Sequence, residues 1–142
     1  RVPGLQNDLE YRAGDWRLAG GYLYNRARVV RNSANPALEG LSLPQVPRHR
    51  GSLELAYANP RWITASLLVQ SSGRQFDDDL NQFVLGRYGV IDGTVSQSLG
   101  RLAHVYVSVE NLLDTEYDVG RTPIRTVGWP RTFRAGLRIF VP

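Results

Sequence analysis

The stretch HVYVSVENLLDTEY, residues 104–117, begins as a β-strand and then changes character. Val105, Val107 and Val109 alternate with polar or larger side chains, which places the three valines on one face of a strand. At Asn111 the alternation stops, and the residues NLLD that follow suit a turn. The stretch therefore predicts a strand with one apolar face that ends in a turn beneath a long loop.

The same alternation with a period of two runs through the whole chain, whereas helical spacing is nearly absent. It predicts seven strands, which cover residues 2–12, 16–28, 48–58, 61–74, 86–98, 101–111 and 131–141. Away from the strand ends, one face of all seven carries no charge, and the opposite face carries carboxylates and arginines. This pattern leaves two arrangements open, because the apolar face can pack inside a soluble protein or face lipid.

The connections distinguish these two arrangements, because short and long connections alternate strictly along the chain. Short turns lie at 13–15, 59–60 and 99–100, and long loops span 29–47, 75–85 and 112–130. In an up-and-down meander this order gathers the short turns at one end and the long loops at the other, as in outer-membrane barrels. Aromatic residues near both ends, such as Trp16 and Tyr24, suit two membrane interfaces. The sequence therefore predicts an all-β, antiparallel up-and-down transmembrane β-barrel.

Seven is an odd number of strands, whereas bacterial single-chain barrels have an even number. Either one strand is missed, for which residues 124–129 are the candidate, or segments outside this sequence close the barrel. An open edge in lipid is costly because its N–H and C=O groups stay unpaired. The chain begins at Arg1 and contains no methionine, which fits a processed chain or a piece of a longer one. We therefore expect residues 1–142 to be part of a larger barrel.

Composition excludes several other classes of protein. The chain has 142 residues, 42% of them hydrophobic and 21% charged, which suits one folded domain. It has no cysteine for disulfides or thiol chemistry, and no apolar run of about 18 residues for a transmembrane helix. Its net charge of +4 is spread along the chain without a basic stripe, so we expect no nucleic-acid partner.

Three motifs together resemble one family. VENLLDTEY, residues 109–117, resembles the Asn-Leu-x-Asp-x-x-Tyr signature near the end of TonB-dependent outer-membrane receptors. GWPRTFRAGLRIF, residues 128–140, resembles the final strand of that family, and LSLPQVPRHRGSLELAY, residues 41–57, resembles a loop that leads into one of its strands. The motifs occur in the expected order and cover most of the chain, which thus resembles the C-terminal barrel portion of such a receptor.

The resemblance implies a fold, a location and a function. Receptors of this family surround an N-terminal plug with a barrel of twenty-two strands and take up ferric siderophores, cobalamin, haem or glycans with energy from an inner-membrane complex. The chain is then a segment of barrel wall in the bacterial outer membrane, without a cofactor. Its implied partners are membrane lipid and lipopolysaccharide, the rest of the barrel and plug, the TonB complex through that plug, and a small-molecule or metal-chelate substrate.

The family usually ends on an aromatic residue that faces lipid, but this chain departs from that pattern. Phe140 is out of phase with Phe133, and Val141 keeps the phase instead. Two alternatives to the receptor stay open. The first is a small stand-alone barrel of eight strands that acts as a porin or in adhesion, and the second is a soluble ligand-binding β-barrel.

Catalysis has little support in the sequence, so we expect neither an enzyme nor a metal site. The chain lacks Gly-x-Ser-x-Gly and His-Glu-x-x-His motifs, and its two histidines, His49 and His104, are far apart. His104 lies on the polar face of its strand, where a solvated or hydrogen-bonded imidazole is the simpler interpretation.

Three groups of charged residues are candidates for binding. Asp77, Asp78 and Asp79 could ligate Ca²⁺, although the absence of a regular ligand ladder favours a solvated loop tip. Arg121 and Arg125, together with Arg131, could bind lipopolysaccharide phosphates or an anionic ligand, or simply keep the last long loop soluble. A lumen-facing ladder of cross-strand charges is predicted for Glu54, Asp92, Glu110, Arg134 and Arg138.

Overall fold

A seven-stranded antiparallel sheet dominates the computed structural model, which describes residues 3–59 and 61–140. The strands are β1 (Gly4–Ala13), β2 (Trp16–Asn25), β3 (His49–Ala58), β4 (Thr64–Ser72), β5 (Gln75–Phe76), β6 (Val84–Leu85), β7 (Tyr88–Leu99), β8 (Ala103–Glu110), β9 (Asp118–Gly120), β10 (Thr126–Val127) and β11 (Thr132–Ile139). The main sheet has the order β1-β2-β3-β4-β7-β8-β11, and each strand is antiparallel to the next. The predicted all-β meander of seven long strands is confirmed.

Four short strands form two hairpins that lie outside the main sheet. β5 pairs with β6, and β9 pairs with β10. The segment proposed as a missed strand contains β10, yet β10 pairs with β9 and not with the main sheet. Within the described residues the main sheet therefore stays open, with β1 and β11 at its edges. A short 3₁₀ helix occupies Pro36–Leu38, and no helix in the described ranges is long and apolar enough to cross a membrane.

Short turns and long loops sort to opposite ends of the sheet. Gly14 and Gly100 have φ of 56° and 65°, a left-handed conformation that glycine adopts without strain in the turns after β1 and β7. We name the long connections the first (26–48), second (73–87) and third long loop (111–131). Because neighbouring strands are antiparallel, the three long loops share one end, as the sequence predicts.

The strands present two different faces. The outer face carries the apolar residues, among which Leu53, Leu67 and Val107 expose 42–54% of their surface. The inner face carries the charged and amide side chains. Arg1, Val2, Pro60, Val141 and Pro142 lie outside the described residues, so the predicted phase of the chain end at Val141 stays a prediction.

The buried residues lie near the long loops and not in the middle of the sheet. Leu85 in β6 is fully buried, and Val90, Ala27, Ser72 and Asn111 are nearly so. The outer face lacks such a covering, since its large apolar side chains stay exposed. Packing in this chain is therefore concentrated where the loops meet the end of the sheet.

Candidate functional site

A cavity of about 780 Å³ opens on the inner face beside the long loops. Its lining runs from β1 across to β8 and the third long loop, so the inner face is concave. Charged, amide and aromatic groups share this lining, including Asp8, Arg50, Gln70, Asp92, Tyr117 and Trp129. This mixture can contact a polar ligand through hydrogen bonds and through ring faces.

Asn111 is the junction between β8, the third long loop and β11. Its side-chain Nδ2 donates to the carbonyl oxygens of Thr115 and Trp129 at 2.9 and 3.0 Å, and its Oδ1 accepts from the Thr115 N–H at 2.9 Å. Its own N–H donates to Asp92 Oδ1 at 2.9 Å. Only 3% of Asn111 is exposed, and its φ of 50° is one that asparagine tolerates well. The amide thus fixes the rim of the cavity, as expected of a residue that ends the strand.

Tyr88 and Tyr117 form a stacked pair on the cavity wall. Their ring centroids are 4.1 Å apart, with an angle of 19° between the rings. Burial raises the pKa of the Tyr117 phenol, and the nearby Tyr88 and Asp92 raise it further. Gly128 lies against the Tyr117 ring with no room for a Cβ, and its N–H donates to the Tyr117 carbonyl at 2.8 Å. Trp129, with 74% of its surface exposed, follows directly and extends the aromatic wall.

Asp77 joins all three long loops. Its Oδ2 accepts hydrogen bonds of 2.7 Å each from the N–H groups of Arg121 and Thr122 and from the Thr122 hydroxyl. Its Oδ1 accepts from the Gln45 amide in the first long loop at 3.0 Å. These hydrogen bonds, that of the Thr122 hydroxyl first, hold the pKa of Asp77 well below its usual range.

The neighbouring carboxylates do not gather with Asp77 around one point. Asp78 accepts hydrogen bonds from the N–H groups of Gln82 and Phe83, which close the turn before β6, while Asp79 is exposed. Within the described residues, no group of three histidine, cysteine or carboxylate side chains is placed to hold a metal ion. The role of the three aspartates in ligand binding stays a prediction.

Carboxylates of the third long loop surround its arginines. Arg125 binds Asp118 at 2.6 Å and Glu116 at 2.7 Å, and these contacts raise the pKa of its guanidinium. Arg121 lies 3.8 Å from Asp118. Arg131 is likewise 3.8 Å from Asp114. Nearby carboxylates therefore already pair with the arginines that an anionic ligand would need. A ligand role for Arg121 and Arg125 stays a prediction.

The predicted charge ladder of the inner face is distributed over separate contacts. Glu110 pairs with Arg134 between β8 and β11, and Glu54 pairs with Arg17 between β3 and β2. Asp92 accepts a hydrogen bond from the Gln70 amide at 3.2 Å. Arg138 lies on β11 opposite His104 and forms no ion pair with another described residue. The structure thus places all five predicted residues on the inner face, and their function stays a prediction.

A meander whose apolar face points outward around a concave polar face matches a known family. The family model described as TonB dependent receptor-like, beta-barrel matches residues 1–112. The chain belongs to this family. The assignment agrees with the resemblance read from the motifs of the sequence.

Known relatives of this TonB-dependent receptor barrel are much longer proteins. The ferrichrome outer membrane transporter/phage receptor of Escherichia coli K12 is 30% identical over 108 residues, which are 70% of this chain and 14% of that protein. The ferric yersiniabactin uptake receptor FyuA of Yersinia pestis superposes with a TM-score of 0.84 at 20% identity, over 97% of this chain and 23% of that one. The ferric citrate transporter FecA gives the same TM-score and identity, over 98% and 24%. The solved structures show the shared fold, and the chain spans about a quarter or less of each.

Sequence reasoning did not foresee how several residues of this TonB-dependent receptor barrel come together at the cavity. Tyr88 and Tyr117 meet across 29 positions of sequence, and no periodic pattern relates them. The junction role of Asn111 was only partly visible, because the sequence indicated its turn but not its bond to the Trp129 carbonyl. The glycine at position 128, next to Trp-Pro, was the one available signal of a close approach.

Proposed function

We propose that the chain forms the C-terminal part of the barrel wall of an outer-membrane transporter for energy-coupled uptake of a ferric chelate. The observation that carries this proposal is the concave polar cavity, which the long loops bound in a chain of the TonB-dependent receptor barrel family. The relative named as a ferrichrome transporter supports a ferric siderophore over cobalamin or haem. No catalytic step is part of the proposed role.

We propose that the remaining parts of the transporter come from outside this chain. The outer face is proposed to contact membrane lipid and lipopolysaccharide, because its side chains are apolar and exposed. The plug, the earlier strands and the contact with the TonB complex are proposed to come from the rest of the receptor. A barrel closed by those strands would pair the free edges of β1 and β11.

Uptake by the full-length receptor tests this proposal. Cells that express the receptor are given radioactive iron bound to a hydroxamate, a catecholate or citrate, with and without an uncoupler of the inner-membrane potential. We expect uptake of at least one chelate, and we expect the uncoupler to abolish it. Uptake that persists in the uncoupler, or that follows size alone as in a porin, would contradict the proposal.

Two tryptophan substitutions test whether the uptake depends on the cavity of this chain. Trp129 borders the cavity with 74% of its surface exposed, and Trp62 is equally exposed, at 72%, near the short turns. We expect Trp129→Ala to raise the half-saturating chelate concentration, because a ring face is lost, and Trp62→Ala to leave it unchanged. Equal effects of the two substitutions would argue against a ligand site at this cavity.

A further inference from the structure

Asp77 occupies a group of hydrogen-bond donors at the tip of the third long loop. The successive N–H groups of Arg121 and Thr122 and the Thr122 hydroxyl all donate to its Oδ2, each at 2.7 Å. The Gln45 amide of the first long loop donates to its Oδ1 at 3.0 Å. Neighbouring backbone N–H groups that converge on one point form a concavity that binds anions. We name these donors of Gln45, Arg121 and Thr122 the anion cradle.

The anion cradle differs from the usual setting of an aspartate in a loop. Asp78, the next residue, accepts from the N–H groups of Gln82 and Phe83 and so closes its own turn. Asp77 instead accepts from two other loops, 32 to 45 positions away in the sequence. The cradle thus receives its anion from a distant part of the chain, and another carboxylate can satisfy the same donors.

Solvent reaches the anion cradle. Gln45, Arg121 and Thr122 are exposed, and Asp77 is only half-buried. A carboxylate in solution can therefore approach the same donors without a rearrangement of the sheet. Hydrogen bonds hold the pKa of Asp77 below its usual range, so the group that now fills the cradle is an anion at neutral pH. The exchange of this carboxylate for another one leaves the charge in the cradle unchanged.

The hairpin of β9 and β10 joins the anion cradle to the cavity of the inner face. Its tip carries Arg121 and Thr122, and its base consists of Tyr117 and Gly128, which are linked by a hydrogen bond of 2.8 Å. Tyr117 lines the cavity, and Arg121 follows it by four positions, roughly 13 Å along an extended strand. Asp77 therefore holds the tip of a hairpin whose base is part of the cavity wall.

We propose that Asp77 is an internal substitute for a carboxylate of the transported chelate, which displaces Asp77 from the anion cradle and so releases the hairpin from the second long loop. A side chain of the same protein competes at an effective concentration in the millimolar range. A chelate that the cavity already holds gains the same advantage, whereas a free monocarboxylate does not. The ligand class is therefore a ferric chelate that keeps a free carboxylate. This inference rests on the proposed function, because it requires that a chelate enter between the long loops.

Two substitutions with matched controls isolate the anion cradle. Asp77→Ala empties the cradle, and Thr122→Val removes its hydroxyl donor while it keeps the shape of the side chain. Asp79→Ala is the control for the first, because Asp79 is an exposed carboxylate of the same loop and lies outside the cradle. Thr126→Val is the control for the second, since the Thr126 hydroxyl donates to the Ile124 carbonyl within its own hairpin.

Hydrogen exchange of the full-length receptor in vesicles tests whether the anion cradle binds a carboxylate from solution. We expect the amides of Arg121 and Thr122 to exchange at least about tenfold faster in Asp77→Ala, which loses a charge-assisted contact. A titration with sodium acetate should restore their protection, whereas sodium chloride at equal ionic strength should not. In the Asp77→Ala background, Thr122→Val should weaken this rescue and Thr126→Val should not. Asp79→Ala should exchange like the wild type.

The wild-type receptor then shows whether a chelate displaces Asp77. Ferric citrate, which bears carboxylates, should speed exchange in the second long loop, because that loop loses its contact with the hairpin. The amides of the anion cradle should stay protected, because the new carboxylate fills it. A neutral ferric trihydroxamate offers no carboxylate and should leave the exchange of the second long loop unchanged. General loosening of the loops would differ from this pattern, since the cradle amides would exchange faster too.

Three results would overturn the inference: no rescue of Asp77→Ala by acetate, equal rescue by chloride, or equal effects of the two chelates on the second long loop. Heat-dependent gel mobility shows whether the barrel of each variant is folded, and if Asp77→Ala does not fold, the comparison of the two chelates on the wild type decides the question. Energy-coupled uptake is measured separately. Acetate rescue without uptake would defeat the proposed function and leave the anion cradle standing, whereas uptake without rescue would do the reverse.

Discussion

Replacement of Asn111 by aspartate is a sensitive test of how the cavity rim is held. Asp keeps the oxygen that accepts from the Thr115 N–H but loses both N–H donors to the carbonyls of Thr115 and Trp129. At neutral pH it also brings a carboxylate close to Asp92, which already accepts a bond from the backbone of residue 111. The substitution therefore keeps the shape of the side chain while it reverses the polarity of two contacts.

The expected cost follows from the burial of the site, because only 3% of Asn111 is exposed. A buried carbonyl left without a donor costs about 1–3 kcal/mol, so about 2–6 kcal/mol is the upper limit for two carbonyls whose hydrogen bonds to Asn111 are part-buried. Burial and the neighbouring carboxylate both raise the pKa of the new Asp in the folded state. A folded-state pKa above the unfolded value means that the variant regains stability as the pH falls through that range. The protonated Asp can then donate one of the two lost bonds.

Hydrogen exchange of the third long loop and urea unfolding of the full-length receptor in vesicles measure this effect. We expect faster exchange in residues 112–131 of Asn111→Asp at pH 7, a lower urea midpoint, and a smaller difference from the wild type near pH 5. Asn35→Asp is the matched control, because the Asn35 side chain is exposed and does not cap the helix that follows. Equal behaviour of the two variants, or a defect that grows at low pH, would refute the reasoning.

Three further predictions address the loops, the aromatic pair and the two faces. Asp77→Asn should speed hydrogen exchange in the second and third long loops together, while Asp79→Asn should not. Because hydrogen bonds lower the Asp77 pKa, the wild-type contact should persist at neutral pH and weaken only under acid conditions. Gly128→Ala should displace the stacked tyrosine pair, change the near-UV circular dichroism, and cost about 1–3 kcal/mol. Val107→Arg should cost about 2–4 kcal/mol in vesicle unfolding if its face meets lipid, whereas Ser108→Arg on the inner face should cost far less.

The strands could be predicted because a period of two assigns every residue to a face. The segment predicted at 61–74 became β4, Thr64–Ser72, and the one at 101–111 became β8, Ala103–Glu110. Boundaries were less accurate where polar residues continue past the sheet. The second predicted strand extended to residue 28, but β2 ends at Asn25, and Arg28 forms only an isolated bridge to Ser42 of the same loop. Alternation shows which way a side chain points, but not where pairing with the next strand stops.

The ion pairs of the inner face show a second limit of prediction from the sequence. Charged residues were visible in the sequence, but their partners depend on register. Arg17 sits opposite Ala56, so its partner Glu54 is reached diagonally, two residues along the neighbouring strand. Arg134 reaches Glu110 with the same offset. Diagonal neighbours on adjacent strands lie within reach of long side chains. A shift of the strand register by one residue would have given these arginines different partners.

The contacts among the long loops were beyond sequence reasoning for a different reason. Asp77 is 44 positions from Arg121, and Asn81 is 39 positions from Ser42, whose backbone it bonds through both N–H and C=O. Such contacts depend on the sheet, which brings the loops to one end, and on side chains that no period relates. Their consequence is mechanical. A ligand that displaces the third long loop must either break the Asp77 contacts or move the second loop as well, so we expect the three loops to move together for as long as those contacts hold.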